Sequence, residues 1–465
     1  SMRAWQREHE YMMSQRPKRD PDENNEAVWQ AGMGAQETAQ DAAIRLVWDS
    51  TVPGSYAKER VIVGAVQAME NRGYVVPGSE RLIERGLAAL QAGDMTELSL
   101  VTQELWEACF CAPRDEDSPY WTYTQYESFE QYDAAVSGER AQPVDLDGEE
   151  YLSRTHAGWL GQIVGGAFGT AMEGYTTDSI FSTLGEVRDY PRKPNTYNDD
   201  ITYELALLKA VERHGRGLTA QDIGRLWVAL IPSGWSAEDI ALQNMRRGIL
   251  PPESGRFHNP YCEWIGAQMR GGVAGMLYPG DARSAARLAF LDGSISHHNN
   301  GVLGEVYNAV LVSLAYVERD VRRLLERTLA HIPADSEYYA AADFAMQACR
   351  RSRGWREAWA LCEARFERYN WIHAYPNVAA QIVAMWFGQG DFDETIFIIG
   401  MCGQDVDCNA AQVMNALGVM LGVKGIPARW LDPIGDRLDT YVRGMKQMSI
   451  SGLAEWTKKM AKKLA

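Results

Sequence analysis

Long apolar runs are missing from this chain: no stretch among its 465 residues reaches the eighteen or so uninterrupted apolar positions that a membrane span requires. The opening SMRAWQREHEYMM likewise lacks the apolar centre of a secretory signal, so a cytoplasmic setting with no membrane partner is expected. Ser1, ahead of Met2, reads as an addition and stays outside the reasoning. Basic charge is in short supply, 46 Lys and Arg against 62 Asp and Glu for a net −16, and such a balance repels a polyphosphate backbone. Nucleic acid is therefore not expected as a partner. The seven cysteines are an odd number spread along the chain, and Cys109-Phe-Cys111 has the wrong spacing for a zinc knuckle, so they read as mostly reduced thiols. Also absent are a Gly-x-Ser-x-Gly elbow, a Walker-type phosphate loop, an HExxH zinc motif, a repeat of fixed period and a low-complexity tract.

What is present suits a large packed core, with 46% hydrophobic and 23% charged residues. The length predicts one large domain with a smaller companion. Helical apolar spacing runs through Ile62, Val66 and Met69, then Ile83, Leu87 and Leu90. This predicts a helical N-terminal unit, which with an aromatic-rich surface connector fills residues 1–150. The charged stretch from Arg16 to Glu26 reads as a solvated arm. Beyond Tyr151, helical patterns follow one another between short Gly, Pro and Asp breaks, which predicts an all-α main domain over 151–434. The segment 435–465 ends in a basic amphipathic helix, expected to be solvated.

Chemistry concentrates in three stretches. In GWLGQIVGGAFGTAMEG, Gly161, Gly165 and Gly169 share one helix face. Each costs about 1 kcal/mol of helix propensity, which makes sense where another backbone comes close. Glu173 follows the last turn. In PNTYNDDITYELALLKAV, Asn198, Asp199 and Asp200 precede an apolar stripe; in CGQDVDCNAAQVMNALGVMLG, Asp405 and Asp407 do the same. A helix start favours anions, so these four aspartates are expected to stay ionised as hard oxygen ligands. Taken singly, each Asp is more simply an N-cap. The similar setting of the two double-acid sites favours a shared role.

These stretches resemble the ADP-ribosylglycohydrolase family, from about Tyr151 to Trp430, and WIGAQMRGGVAGMLYPGD, ARLAFLDGSISHHNNGVLGEVY and HAYPNVAAQIVAMWFGQGDF extend the likeness. The resemblance implies an all-α bundle holding one or two Mg²⁺ or Mn²⁺ ions and hydrolysing an N-glycosidic bond to ribose or a related sugar. It assigns Asn198, Asp199, Asp200, Asp405, Asp407 and Cys408 to the metals, and gives Glu173 and Asp200 catalytic roles, with Glu173 as general base or simply a ligand. Gly266, Ala267, Gln268, His297, Asn300 and His373 fall at substrate-contacting positions; a lone histidine is otherwise more often structural, and His373 with Asn377 could serve only to fix a loop. Trp371 and Trp430 read as packing groups. Two departures bear on the chemistry. Asn198 and Cys408 stand where the family offers hydroxyls, and a cysteine suits magnesium poorly. Tyr261-Cys262-Glu263-Trp264 brings bulk and charge where relatives that hold ADP-ribose have a glycine-rich loop, which favours a substrate smaller than ADP-ribose over a full ADP-ribosyl conjugate. A binding or structural protein that keeps the bundle without turnover is the alternative.

Overall fold

The computed structural model describes residues 2–19 and 25–465, so Ser1 and part of the Arg16 to Glu26 stretch lie outside the described residues. Helices carry the fold, as expected. The strands among the described residues are three short antiparallel pairs: Ser50–Thr51 with Lys58–Glu59, Tyr175–Thr176 with Gly403–Gln404, and Arg437–Asp439 with Gln447–Ser449. Among the described residues, no helix is long and apolar enough to cross a membrane.

At the centre the helix Glu149–Gly169 runs antiparallel to the helix Val406–Leu421. Their contact explains the glycine stripe. A Cβ added at Gly161, Gly165 or Gly169 would collide with the backbone of Met414, Ala410 or Val406, and one at Gly418 with the carbonyl of Ala157. The two backbones touch because the glycine stripe of the first helix carries no side chains and meets the Ala410, Ala411 and Gly418 positions of the second, and the loss of helix propensity is offset by this contact. Asn415 Nδ2 donates to the Gly158 carbonyl at 3.1 Å and fixes the register. The helices Asn300–Ala315 and Ala374–Gly388 are buried almost all round and fill the rest of the core.

The N-terminal helices Val61–Asn71, Ser79–Ala92 and Met95–Phe110 pack into the same continuous hydrophobic core. Tyr261 Oη donates to the Val61 carbonyl at 2.7 Å, and Tyr175 Oη to the Ser55 carbonyl at 2.8 Å. The aromatic connector lies across the body, with Tyr120, Tyr126 and Tyr132 buried. The terminal helix Ile450–Leu464 differs from the solvated element expected. Its Leu453, Ala454, Thr457 and Met460 face is buried against the glycine helix, where Trp159 Nε1 donates to Thr457 Oγ1 at 3.0 Å. Its lysines remain on the opposite, exposed side.

Candidate active site

Because the two central helices are antiparallel, the C-terminal end of one meets the N-terminal end of the other, and this brings Glu173 beside Asp405 and Asp407. The short ladder at residues 175–176 and 403–404 holds them together, with the Gly174 amide donating to the Gln404 carbonyl at 2.8 Å. Gly403 is required here: its φ is +71°, and a Cβ would strike the Tyr175 carbonyl. The Asp405 amide donates to Asn377 Oδ1 at 3.1 Å, while Asn377 Nδ2 holds the carbonyls of Trp371 and His373. Thus the HAYPN segment anchors the turn that delivers Asp405.

The third stretch arrives from the helix Asp199–His214. Asn198 caps it, accepting from the Asp200 amide at 2.8 Å, and its amide packs against Gly166. Ligand atoms of Asp199, Asp200 and Cys408 lie within 4.8 Å of one another, as do those of Asp405, Asp407 and Cys408. Cys408 Sγ donates to Asp200 Oδ1 at 3.4 Å and so joins the two groups. Carboxylates from three distant parts of the chain therefore converge.

Their company is electrostatically unfavourable. Burial and then repulsion by Asp407 and Asp199 hold the Glu173 carboxyl well above its ordinary range; burial, Asp199 and Asp407 do the same to Asp200. Asp405 is pushed up by burial, Asp407 and Glu173, and Asp199 to about 7 by burial and Asp407. The expectation that helix starts keep all these aspartates ionised is corrected for Asp199, Asp200 and Asp405. A helix terminus contributes roughly 0.3–1 kcal/mol, up to about 2 in buried settings, whereas burial and like charges move a carboxyl by several pKa units. Asp200 Oδ2 and Asp405 Oδ1 are buried without a hydrogen-bond partner. Carboxylate oxygens left this way fit a hard divalent cation, which would offset the repulsion among them.

The cluster opens into a cavity of about 540 Å³. Glu173, Asn198, Asp199, Asp405, Asp407 and Cys408 form one end. The other walls include groups that no sequence pattern singled out: Glu59, Trp235, Glu238, Tyr203 and Tyr441. Leu46 and the Ser50–Pro53 turn also line it, so the N-terminal unit helps to build the site. Trp235 Nε1 donates to Glu59 Oε1 at 3.1 Å across this junction. Burial raises Glu238 to about 7 against the opposing pull of Arg270, whose guanidinium lies 3.4 Å away. Trp371, expected only to pack, also lines the cavity, whereas Trp430 is wholly buried against Phe168 and Tyr190.

Of the six positions assigned to substrate contact, Gly266 alone lines this cavity. Its hydrogen makes room for the Glu238 carboxylate, which a Cβ would displace. Ala267 is fully buried, and Gln268 bonds Tyr338 Oη and Gln381 inside the core. His297 faces Ser296 Oγ at 2.7 Å, and burial followed by Arg270 keeps its ring neutral. Asn300 accepts from the Tyr338 amide, and His373 caps the helix Ala374–Gly388 through Nδ1. Gln268, Asn300 and His373 thus make hydrogen bonds within the body, whereas His297 keeps Nε2 buried without a partner; local sequence does not distinguish such uses from substrate contact.

The Tyr261 to Trp264 segment is also corrected. All four residues are buried, and none lines the carboxylate cavity. The Glu263 carboxylate accepts from Tyr120 Oη and faces Asn299 and Asn300, while Trp264 packs against Gly64. The bulk serves to seat the N-terminal unit.

A protein of Archaeoglobus fulgidus described as uncharacterized is 24% identical over 300 residues, covering 60% of this chain and 90% of its own length. A solved structure titled "ADP-ribosylglycohydrolase-related protein complex" aligns with a TM-score of 0.46 and 20% identity, over 68% of this chain and 98% of its own. The ADP-ribosylglycohydrolase family model matches residues 147–464, which take in the glycine helix, both acidic helix starts and the terminal helix; the chain belongs to the ADP-ribosylglycohydrolase family.

Proposed function

We propose that this protein is a metal-dependent hydrolase that cleaves an N-glycosidic bond to ribose or a related sugar. The carrying observation is the convergence of Glu173, Asp199, Asp405 and Asp407 at a cavity, with Asp200 buried beside them and carboxylate oxygens left unpartnered. Asp199, Asp200, Asp405 and Asp407, helped by Asn198 and Cys408, would hold one or two Mg²⁺ or Mn²⁺ ions. When bound, such an ion orients the sugar hydroxyls and acidifies water.

Glu173 accepts the proton of the attacking water, whose oxygen bonds to the anomeric carbon as the carbon–nitrogen bond breaks. Asp200, among the surrounding carboxylates, stabilises the positive charge that develops on the sugar ring. Glu238, held near neutrality in the same cavity, gives its proton to the leaving nitrogen. Trp235 and Trp371 flank the remaining volume with apolar area.

The test is a panel of ADP-ribosyl-arginine, ADP-ribosyl-serine, simple nucleosides and other N-glycosides, assayed with Mg²⁺ or Mn²⁺. Release of the nitrogen leaving group, abolished by a chelator and by Asp200→Ala, is the expected result. The Cys408 thiol within the cluster favours a second reading, a protein that binds without turnover. Cation and sugar binding with no product from any member of the panel would establish it.

A further inference from the structure

A second cavity, of about 1210 Å³, lies between the N-terminal helices and the segment 233–261. It shares Leu46 and the Ser233–Ser236 turn with the carboxylate cavity, yet its lining is of another kind. Aromatic rings stand open at its edge. Phe110 is 59% exposed and Phe257 40% exposed, and both lie tilted against His258, with ring centroids 3.5 and 4.3 Å from its ring. In water, apolar rings gathered in this way are a platform for another flat ring.

Positive charge accompanies them, in a chain that carries −16 overall. Arg247 donates only weakly, to the Gln243 carbonyl at 3.4 Å and to Asn244 Oδ1 at 3.5 Å. Arg72 donates to the Asn259 carbonyl at 3.5 Å, and its Nε is buried without a partner. Their field is felt by the histidines of the same cavity. His298 is lowered to about 4, first by burial and then by Arg72, with Glu127 opposing and Arg256 adding; His258 is lowered by burial and then by Arg247. The cavity acids are otherwise engaged, Glu253 with Arg256 and Asp239 with Gln243. Two lining residues also hold left-handed backbone without being glycine, Ser236 at φ +45° and His258 at φ +50°, a strain that persists where the surroundings impose it and that gathers at binding sites.

We infer that this second cavity is a binding site for a small aromatic anion, its ring stacked on Phe110 and Phe257 and its phosphate or carboxylate held by Arg247 and Arg72. A guanidinium matches either group in a fork, and the exposed rings are sequence-tolerant stacking surfaces. The site is formed jointly with the N-terminal helices, and it stands whether or not the carboxylate cavity is hydrolytic.

Calorimetry in the presence of a chelator tests it, using adenosine monophosphate, adenosine, inorganic phosphate and indole-3-acetate as probes. Adenosine monophosphate or indole-3-acetate should bind, the first identifying a phosphate and the second a carboxylate as the preferred anion. Adenosine and inorganic phosphate alone should bind at least about tenfold more weakly. Arg247→Met combined with Phe110→Ala, both on exposed side chains, should weaken binding about tenfold or more with the thermal midpoint unchanged. Asp200→Asn should leave it as it is. Absence of binding by both aromatic anions at millimolar concentration overturns the proposal. So does retention of binding in the Arg247 and Phe110 double variant, or its loss in Asp200→Asn, which would move the ligand to the carboxylate cavity.

Discussion

Around Arg270, whose side chain is 1% exposed, Asp292, Glu238 and Glu305 come within 2.6, 3.4 and 3.8 Å of the guanidinium, and Trp227 and Tyr203 offer their ring faces. At the end of the glycine helix, Glu173, Asp199, Asp200, Asp405 and Asp407 crowd together with no basic side chain among their closest charged neighbours. Both groups gather acids from separate elements beneath one cavity wall, and Glu238 borders both. The first has its cation built into the chain; the second has none, and under the proposed function it would take one from solution. Buried acids with unpartnered oxygens do not by themselves mark a metal site, since Asp292 and Glu305 around Arg270 carry them too; the sign that separates the clusters is the missing internal counter-ion.

Replacing the internal cation should have the largest effect. Arg270→Met strands Asp292, Glu305 and Glu238, and should cost about 3–5 kcal/mol in urea unfolding. A smaller loss than 1 kcal/mol would erase the contrast. Next, magnesium or manganese at a hundred times its dissociation constant should stabilise the protein by about 2.7 kcal/mol, and Asp200→Ala should remove that gain. The same comparison has a pH signature. Carboxyls raised in the folded state bind more protons there than in the unfolded chain, so in chelator stability falls as pH rises from the ordinary carboxyl range through about 7, where Asp199 titrates. Saturating magnesium should abolish that fall. A melting midpoint in chelator that climbs over the same interval would contradict it.

Gly165→Ala should cost about 1–3 kcal/mol by forcing the central helices apart, and should also weaken cation binding because Asp405 and Asp407 shift with the helix start. Normal cation affinity in this variant would uncouple the stripe from the site. The smallest effect is expected from Cys408→Ser. A hard hydroxyl in place of the thiol should improve magnesium affinity by a few-fold, about 1 kcal/mol or less, with little change in stability.

The parts of the site legible in sequence are those set by one short stretch. The glycine spacing announced a backbone contact, and the doubled acids sat at helix starts where their positions follow from local pattern. Glu59 and Glu238 were illegible for a physical reason. Glu59 belongs to a two-residue strand, too short for any period, and reaches the cavity only because the N-terminal hairpin folds over it. Glu238 looks like an ordinary acid in a first helical turn; its proton affinity comes from burial beside Gly266. His297, Asn300 and His373 show the converse. Residue type and likeness placed them at the substrate, while the surrounding chain uses them for hydrogen bonds inside the body.

The pairing of the glycine helix with the helix Val406–Leu421 joins groups as far apart as Gly158 and Asn415, 257 positions along the chain. During synthesis the first of these helices must therefore wait, its bare stripe uncovered, until the residues through Leu421 have left the ribosome. Truncated products that lack the late helix would present an unpaired apolar face, an invitation to chaperones and proteases. Assembly of the carboxylate cluster and escape from quality control thus come from one event, the docking of two backbones.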